Sequence, residues 1–329
     1  MKLLVLIQGL AVAASRYRIL QYLPYLEEHG IEPTVRVFPE GLREHLELLK
    51  ILPEYDCVFV QRKRFHGLYL KLFRRRARRV VFDLDDALMY KNSLASSPYS
   101  RTRERRFAAM MQACDHVIAG NSFLLEKTSP HNPHVTMIPT SIPLSRYSLK
   151  DYRQPAGELV TLGWIGDHGS IHYLKRLTPL LDHLAARFPG RLQLKVICDT
   201  FVECSVMPVI EIPWSSATEV QELQSFDIGL MPLIDDPWSW GKCGLKILQY
   251  FGVGVPAVCT PVGVNRDVVI PDHNGYWAMN DNEWLENLGG LIEDAAKRRT
   301  FGLNGRQTLE QAYSLEVNQP RMLKIIQGA

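Results

Sequence analysis

Trp238-Ser-Trp-Gly-Lys-Cys-Gly-Leu-Lys-Ile-Leu-Gln-Tyr-Phe-Gly-Val-Gly-Val-Pro-Ala-Val258 reads as a polar loop, a short helix, a glycine stop and a strand. Lys242, Lys246 and Gln249 stand at i, i+4 and i+7, the spacing of one helical face. Leu245, Leu248 and Phe251 or Gly252 fall off that face and can pack inward. Gly241 and Gly244 let the backbone at the helix start come close to a ligand. A helix N-terminus with free N–H groups and two lysines beside it is a cradle for a diphosphate. The same spacing also suits an ordinary amphipathic helix with a solvated lysine face. Gly254 suits the helix C-terminus, and Pro256 stops continuation.

Outward from this stretch, strands alternate with helices in both directions. Upstream lie strands at 159–165, 192–197, 209–212 and 227–231; the turn Gly166-Asp167-His168-Gly169-Ser170 and a helix over 171–187 follow the first of them. Downstream come a strand at 256–259 and helices over 284–297 and 300–313. The first half repeats the pattern, with strands at 3–7, 32–38, 56–60, 79–83, 116–119 and 135–139. Helices are expected over 15–29, interrupted at Pro24, and over 42–52, 68–77 and 100–113. This alternation predicts an α/β chain of two doubly wound, Rossmann-like domains, 1–147 and 158–311, each a parallel sheet covered on both faces. The polar stretch 144–158, with Pro155 and Gly157, reads as a linker. Ligands in such sheets bind outside the carboxyl ends of the strands, and facing domains would add a cleft.

With 329 residues, 46% apolar and 22% charged, the chain is long enough for two cores and is not disordered. Its net charge of +3 divides unevenly: residues 1–150 hold 23 Lys and Arg against 14 Asp and Glu, and the remainder 15 against 21. The excess lies in 71–79 and in Arg101, Arg103, Arg105 and Arg106. Such a basic half can meet anionic lipid or an acidic acceptor, or be a solvated helix face. Nucleic acid is not expected, because the basic runs lack interleaved aromatics. The scattered cysteines, without a CxxC pair, suggest reduced thiols in a cytoplasmic protein. The apolar start is interrupted at Gln8-Gly9 and continues as a patterned helix, which argues against a signal peptide. No later run approaches the ~18 apolar residues of a membrane span.

Three further constellations could carry chemistry. Gly166, Asp167 and His168 occupy the place of a phosphate turn, although GxGxxG is absent. Asp83, Asp85 and Asp86 stand at a strand end, where carboxylates can orient a sugar hydroxyl, act as a base, bind a metal or merely cap the next segment. Ser15, Arg16 and Arg18 open the first helix, where arginines can take an anion.

The segments Phe226–Leu233, Gly241–Val258 and Thr260–Asn265 together resemble the GT-B glycosyltransferases of family four. The likeness extends through Arg16–Pro24 and Gly305-Arg306. It implies a retaining transferase that uses a nucleotide-diphosphate sugar, UDP- or GDP-linked, without an obligatory metal or other cofactor. The second domain would bind the donor through Gly166, Asp167, His168, Lys242, Gly244, Leu245, Lys246 and Gln249. The first would hold the acceptor, a glycan, lipid or small molecule, beside Ser15, Arg16 and Arg18. Residues 312–329 would pack back onto the first domain. The family's glutamate, seven residues, glutamate signature falls on Gly241 and Gln249, so the sugar and ribose contacts differ. Asp85, Asp86 and Lys246 are the catalytic candidates. The basic half makes peripheral contact with the inner face of an anionic membrane part of this expectation. An inactive nucleotide- or glycan-binding scaffold, and a nucleotide-sugar epimerase or hydrolase of similar fold, are the alternatives.

Overall fold

The computed structural model describes residues 1–152 and 159–328; Pro155 and Gly157 of the expected linker, and residue 158, lie outside them. The chain divides into two compact units, one comprising 1–141, 236–243 and 315–329, the other 142–235 and 244–314. The stretch 238–258 is therefore shared between the two.

In chain order the first half runs β1 (Lys2–Ile7), α1 (Ala13–Arg18), α2 (Leu23–Glu28), β2 (Glu32–Val37), α3 (Leu42–Ile51), β3 (Cys57–Gln61), α4 (Gly67–Arg76), β4 (Val80–Leu84), α5 (Arg101–Ala113), β5 (His116–Ala119), α6 (Ser122–Thr128) and β6 (Val135–Met137). Its six-stranded sheet has the order β2-β1-β3-β4-β5-β6, every pairing parallel. Period-two alternation sorts the core to both faces. Leu4, Leu6, Val58, Val60, Phe82 and Leu84 pack with residues of α3, α4 and α5. Leu3, Val5, Ile7, Cys57, Phe59 and Val81 pack with Ile19, Tyr22 and Leu26 and with the C-terminal Met322, Ile325 and Ile326. A strand buried on both faces is mostly apolar, which is why Leu3–Ile7 reads as an unbroken run.

The chain continues through β7 (Val160–Ile165), α7 (Ile171–Lys175), α8 (Thr178–Arg187), β8 (Leu192–Cys198), β9 (Val209–Pro213), α9 (Glu219–Gln224), β10 (Ile228–Met231), α10 (Pro237–Trp240), α11 (Leu245–Gly252), β11 (Ala257–Cys259), α12 (Asn265–Val268), β12 (Gly275–Trp277), α13 (Asp281–Glu293), α14 (Ala295–Thr308) and α15 (Leu315–Gln327). The second sheet has the parallel order β12-β11-β10-β7-β8-β9. Chain order reverses beside β1 in the first sheet and between β7 and β10 in the second, the switch points of doubly wound folds.

Several helices differ from the sequence expectation for local reasons. The helix expected over 15–29 is three short pieces, and Pro24 lies in the first turn of α2, where its missing N–H costs nothing. The helix expected over 171–187 is likewise divided, with Pro179 in the first turn of α8. The C-terminal helices break at Asp294, whose carboxylate accepts from Lys297 N at 2.8 Å and so caps α14. No helix among the described residues is long and apolar enough to cross a membrane.

Candidate functional site

Within the second unit, the carboxyl ends of β7 and β10 bound the switch point. The turn Gly166–Ser170 follows β7; there Asp167 Oδ1 accepts from Ser170 Oγ at 2.8 Å. His168 Nδ1 lies 2.6 Å from Asp199 Oδ2, just past the end of neighbouring β8. That pair is exposed, 80% at the histidine and 53% at the aspartate. The hydrogen bond to Asp199, then its charge, raises the His168 pKa above its ordinary value.

Helix α11 rests on β10, with Tyr250 Oη donating to Leu230 O at 3.0 Å. At its other end, Lys246 Nζ stands 5.2 Å from the ring centroid of Trp164 in β7. The start of α11 is thereby held beside the end of β7. Gly244 is its N-cap, at φ +69°, ψ +15°. This left-handed residue cannot continue a right-handed helix toward the N-terminus. The expected helical face of Lys242, Lys246 and Gln249 therefore does not form: α11 starts at Leu245, and Lys242 lies before it, in the other unit. The first N–H groups of any helix lack partners within it, and α11 has no acidic residue in its first turn.

Gln249 is 3% exposed and donates through Nε2 to Tyr147 Oη at 3.2 Å. Tyr147 in turn donates to Glu219 Oε1 at 2.8 Å, and Trp214 Nε1 donates to Glu219 Oε2 at 2.8 Å. Gln249 thus belongs to a buried polar network that joins α11 to α9.

Within the first unit, the charged candidates gather at the carboxyl ends of β3 and β4. Arg18 and Asp83 form an ion pair, 1% and 0% exposed, with Nη2–Oδ1 at 2.7 Å; Arg18 Nη1 also donates to Ile138 O at 2.8 Å. Burial pushes the Asp83 carboxyl up to about 6, against the downward pull of Arg18. Burial is the largest single influence on Arg18 and opposes its charge, but the charge and hydrogen bond of Asp83, together with the charge of Asp85, outweigh it and the pKa is raised. Ser15 is buried and donates to Gln61 Oε1 at 2.7 Å. Gln61 is fully buried at the end of β3, and its Nε2 has no hydrogen-bond partner among the described residues. Arg16 is half-buried, 5.1 Å from the ring centroid of Tyr17.

Asp85 and Asp86 are held by Arg62, which pairs with Asp85 and reaches Asp86 Oδ2 at 2.9 Å. Arg62 has φ +55°, a conformation of non-glycine residues that is held only where surroundings enforce it. Lys242 Nζ adds a contact to Asp86 Oδ1 at 3.0 Å and lies 4.9 Å from the Trp238 ring centroid. Asn121 explains why this segment stays with the first unit: its Oδ1 caps α6 at Leu124 N, while Nδ2 donates to Trp240 O at 3.1 Å and Lys242 O at 3.0 Å. Gly241 is close-packed on the loop after β4, where an added Cβ would lie 2.5 Å from Ala87 N.

The structure thus collects Ser15, Arg18, Asp85, Asp86 and Lys242 in the first unit and Gly166, Asp167, His168, Gly244, Leu245, Lys246 and Gln249 in the second. Sequence reasoning passed over Gln61 and Arg62, although their place at the end of a predicted strand marked them. Asp199, Tyr147 and Glu219 had no signal, since their partners lie far off in sequence. Among the described residues no group of three or more His, Cys, Asp and Glu is placed to hold a metal ion.

No protein-family model and no curated protein sequence matches the chain. Solved structures do. The Anabaena protein HepE in complex with UDP and glucose superposes with a TM-score of 0.74 at 16% identity, over 100% of both chains. Sucrose-phosphate synthase from Thermosynechococcus elongatus gives 0.72 at 13% identity, over 100% of this chain and 98% of its own. An alpha-glucosyltransferase in complex with UDP gives 0.67 at 11% identity, over 99% of each. At these identities the likeness concerns the fold, and it extends over the whole chain: two doubly wound parallel-sheet units, the fold class of GT-B proteins.

Proposed function

We propose that this chain is a retaining glycosyltransferase that moves a sugar from a nucleotide-diphosphate sugar to a hydroxyl-bearing acceptor, without a metal ion. One observation carries the reading: α11 opens with left-handed Gly244 at the switch point of the second sheet, with Lys246 over the end of β7. N–H groups and a lysine at that place suit a diphosphate. That UDP or its sugars occupy structures of similar fold supports a nucleotide-sugar donor.

In this reading the acceptor oxygen bonds to the anomeric carbon as the bond from that carbon to the diphosphate breaks. The acceptor proton passes to a leaving phosphate oxygen on the same face. The protein's share is to stabilise the departing diphosphate through Gly244 and Leu245 N–H and Lys246. His168, Asp167 and Gly166 complete the donor side. In the first unit Asp85 and Asp86, fixed by Arg62 and Lys242, would orient acceptor hydroxyls, and the unpartnered Gln61 amide beside Ser15 would donate to one. Arg18 serves by fixing Asp83, and Arg16 is the half-buried cation of that helix.

Lys246→Ala should lower turnover by more than ~10²-fold, the effect of removing one key donor. Near-normal turnover in that variant would reject the assignment. The burial of Gln249 against Tyr147 favours a second reading, a protein that binds nucleotide or glycan without turnover. A panel of nucleotide sugars with acceptor-containing extracts separates the two: nucleotide release only with acceptor supports transfer, and binding without release supports the second. Release without acceptor would instead indicate hydrolysis.

A further inference from the structure

Arg64, Arg103 and Arg106 meet beside the loop that follows β4. Arg64 Nη1 donates to Leu88 O, and Arg103 Nη1 donates to Tyr90 O at 2.8 Å. The two guanidinium groups are thereby anchored on one short loop, immediately after Asp85 and Asp86. Arg106 stands one turn beyond Arg103 on α5, the i, i+3 relation that places neighbours on one face. Among the described residues none of the three arginines has a carboxylate partner. Glu104, the one acid near the start of α5, is exposed and forms no ion pair there.

This arrangement is unfavourable for the fold alone. Arg101, Arg103, Arg105 and Arg106 crowd the first two turns of a 13-residue helix, the end whose backbone dipole is positive and prefers anions. Burial, and then the charges of Arg103 and Arg106, lower the Arg64 pKa. Like charges gathered with hydrogen bonds that fix their direction are compensated by a bound anion. Guanidinium forks match phosphoryl oxygens best. The carboxyl end of β4 is also where a doubly wound sheet presents its ligand.

We propose that Arg64, Arg103 and Arg106 form a binding site for a phosphoryl group. Its assignment to the acceptor, as the phosphate of a phosphorylated or lipid-linked glycan, rests on the glycosyltransferase reading; the anion site itself does not.

The test is calorimetric titration of the full chain with sn-glycerol 3-phosphate at low ionic strength. Wild type should bind, and Arg103→Gln/Arg106→Gln should bind at least about tenfold more weakly. Arg75→Gln, an exposed arginine of α4, should bind as wild type does. Equal binding by the double variant, or an equal loss in Arg75→Gln, would each overturn the site. Sedimentation with vesicles of phosphatidylcholine containing phosphatidylglycerol distinguishes the source. A titration lost together with vesicle binding in the double variant assigns a lipid headgroup. A lost titration with no vesicle binding even in wild type assigns a soluble phosphate. Retained phosphate binding with no turnover of any nucleotide sugar would preserve the anion site and discard the acceptor.

Discussion

Replacing Arg18 by methionine removes the cation from an ion pair whose side chains are 1% and 0% exposed, and leaves Asp83 beside Asp85 with its main counter-charge gone. Breaking a buried pair by deleting one partner costs roughly 3–5 kcal/mol. The bond to Ile138 O is lost as well. For a unit of this size about 1 kcal/mol moves Tm by roughly 2–4 °C, so a fall of roughly 6–20 °C is expected. The deficit depends on pH, and its sign is fixed. Asp83 already titrates near 6 when folded, above its ordinary range near ~3.9, and without Arg18 it climbs further. A raised carboxyl binds more protons folded than unfolded, so stability falls as pH rises toward the folded value. Wild type shares that fall below about pH 6; above it only the variant continues to fall, at about 1.4 kcal/mol per pH unit. Thermal scans at pH 6 and 7.5 should therefore diverge. The companion Arg18→Met/Asp83→Leu, which removes both charges, should recover most of the loss. A Tm within about 2 °C of wild type, or a deficit that does not grow with pH, would refute the buried-charge argument. Transfer activity in a stable double variant would show that neither Arg18 nor Asp83 needs to touch the acceptor and that the pair serves the fold of this unit.

Asp199→Asn should return the His168 titration, followed by NMR, from its raised midpoint to the ordinary value near ~6.5; an unchanged midpoint would mean the pair does not form in solution. Gly241→Glu, which installs the glutamate of the signature that the sequence resembles, should lower Tm rather than raise turnover, because its Cβ meets Ala87 N at 2.5 Å; overpacking costs about 1–3 kcal/mol. Gln249→Glu should also destabilise at pH 7.5 and less so at pH 5, since the new carboxyl would face Tyr147 in the network of Glu219; an equal Tm at both pH values would count against that network.

The strands were legible because a parallel sheet covered on both faces demands largely apolar runs, unbroken in Leu3–Ile7 and interrupted only by Thr161 and Gly163 in Val160–Ile165. Strand alternation with helices then implied the doubly wound units. Short elements were not legible: α9, α10 and α12 span 6, 4 and 4 residues, too few for a helical period to show. The carboxylates after β4 were visible as a cluster, but their cations were not. Arg18 and Asp83 are 65 positions apart and Lys242 and Asp86 are 156 apart, and no local pattern encodes such pairings. Lys242 misled for a different reason. Its spacing from Lys246 is helical, yet a left-handed glycine between them cancels the helix, and spacing alone carries no sign of φ.

Gly244 also changes how the departures at 241 and 249 are understood. It ends one packing environment and begins another, so the two positions respond to separate constraints. At 241 the requirement is steric: the segment held by Asn121 presses against Ala87, and only hydrogen fits there. At 249 it is a matter of hydrogen bonding. Tyr147 gives its proton to Glu219 and needs a donor toward its own oxygen, which an amide supplies and a carboxylate does not. Both residues are thus satisfied where they stand, as a repacked site requires. A further consequence is electrostatic. With glutamine at 249, α11 carries Lys246 and no anion, so nothing on the helix offsets the positive end of its dipole. A diphosphate placed there would meet attraction from the N–H groups and from Lys246, with no carboxylate on the helix to repel it. Lys246 is the cation of that helix, which is why it is the residue on which the catalytic assignment stands or falls.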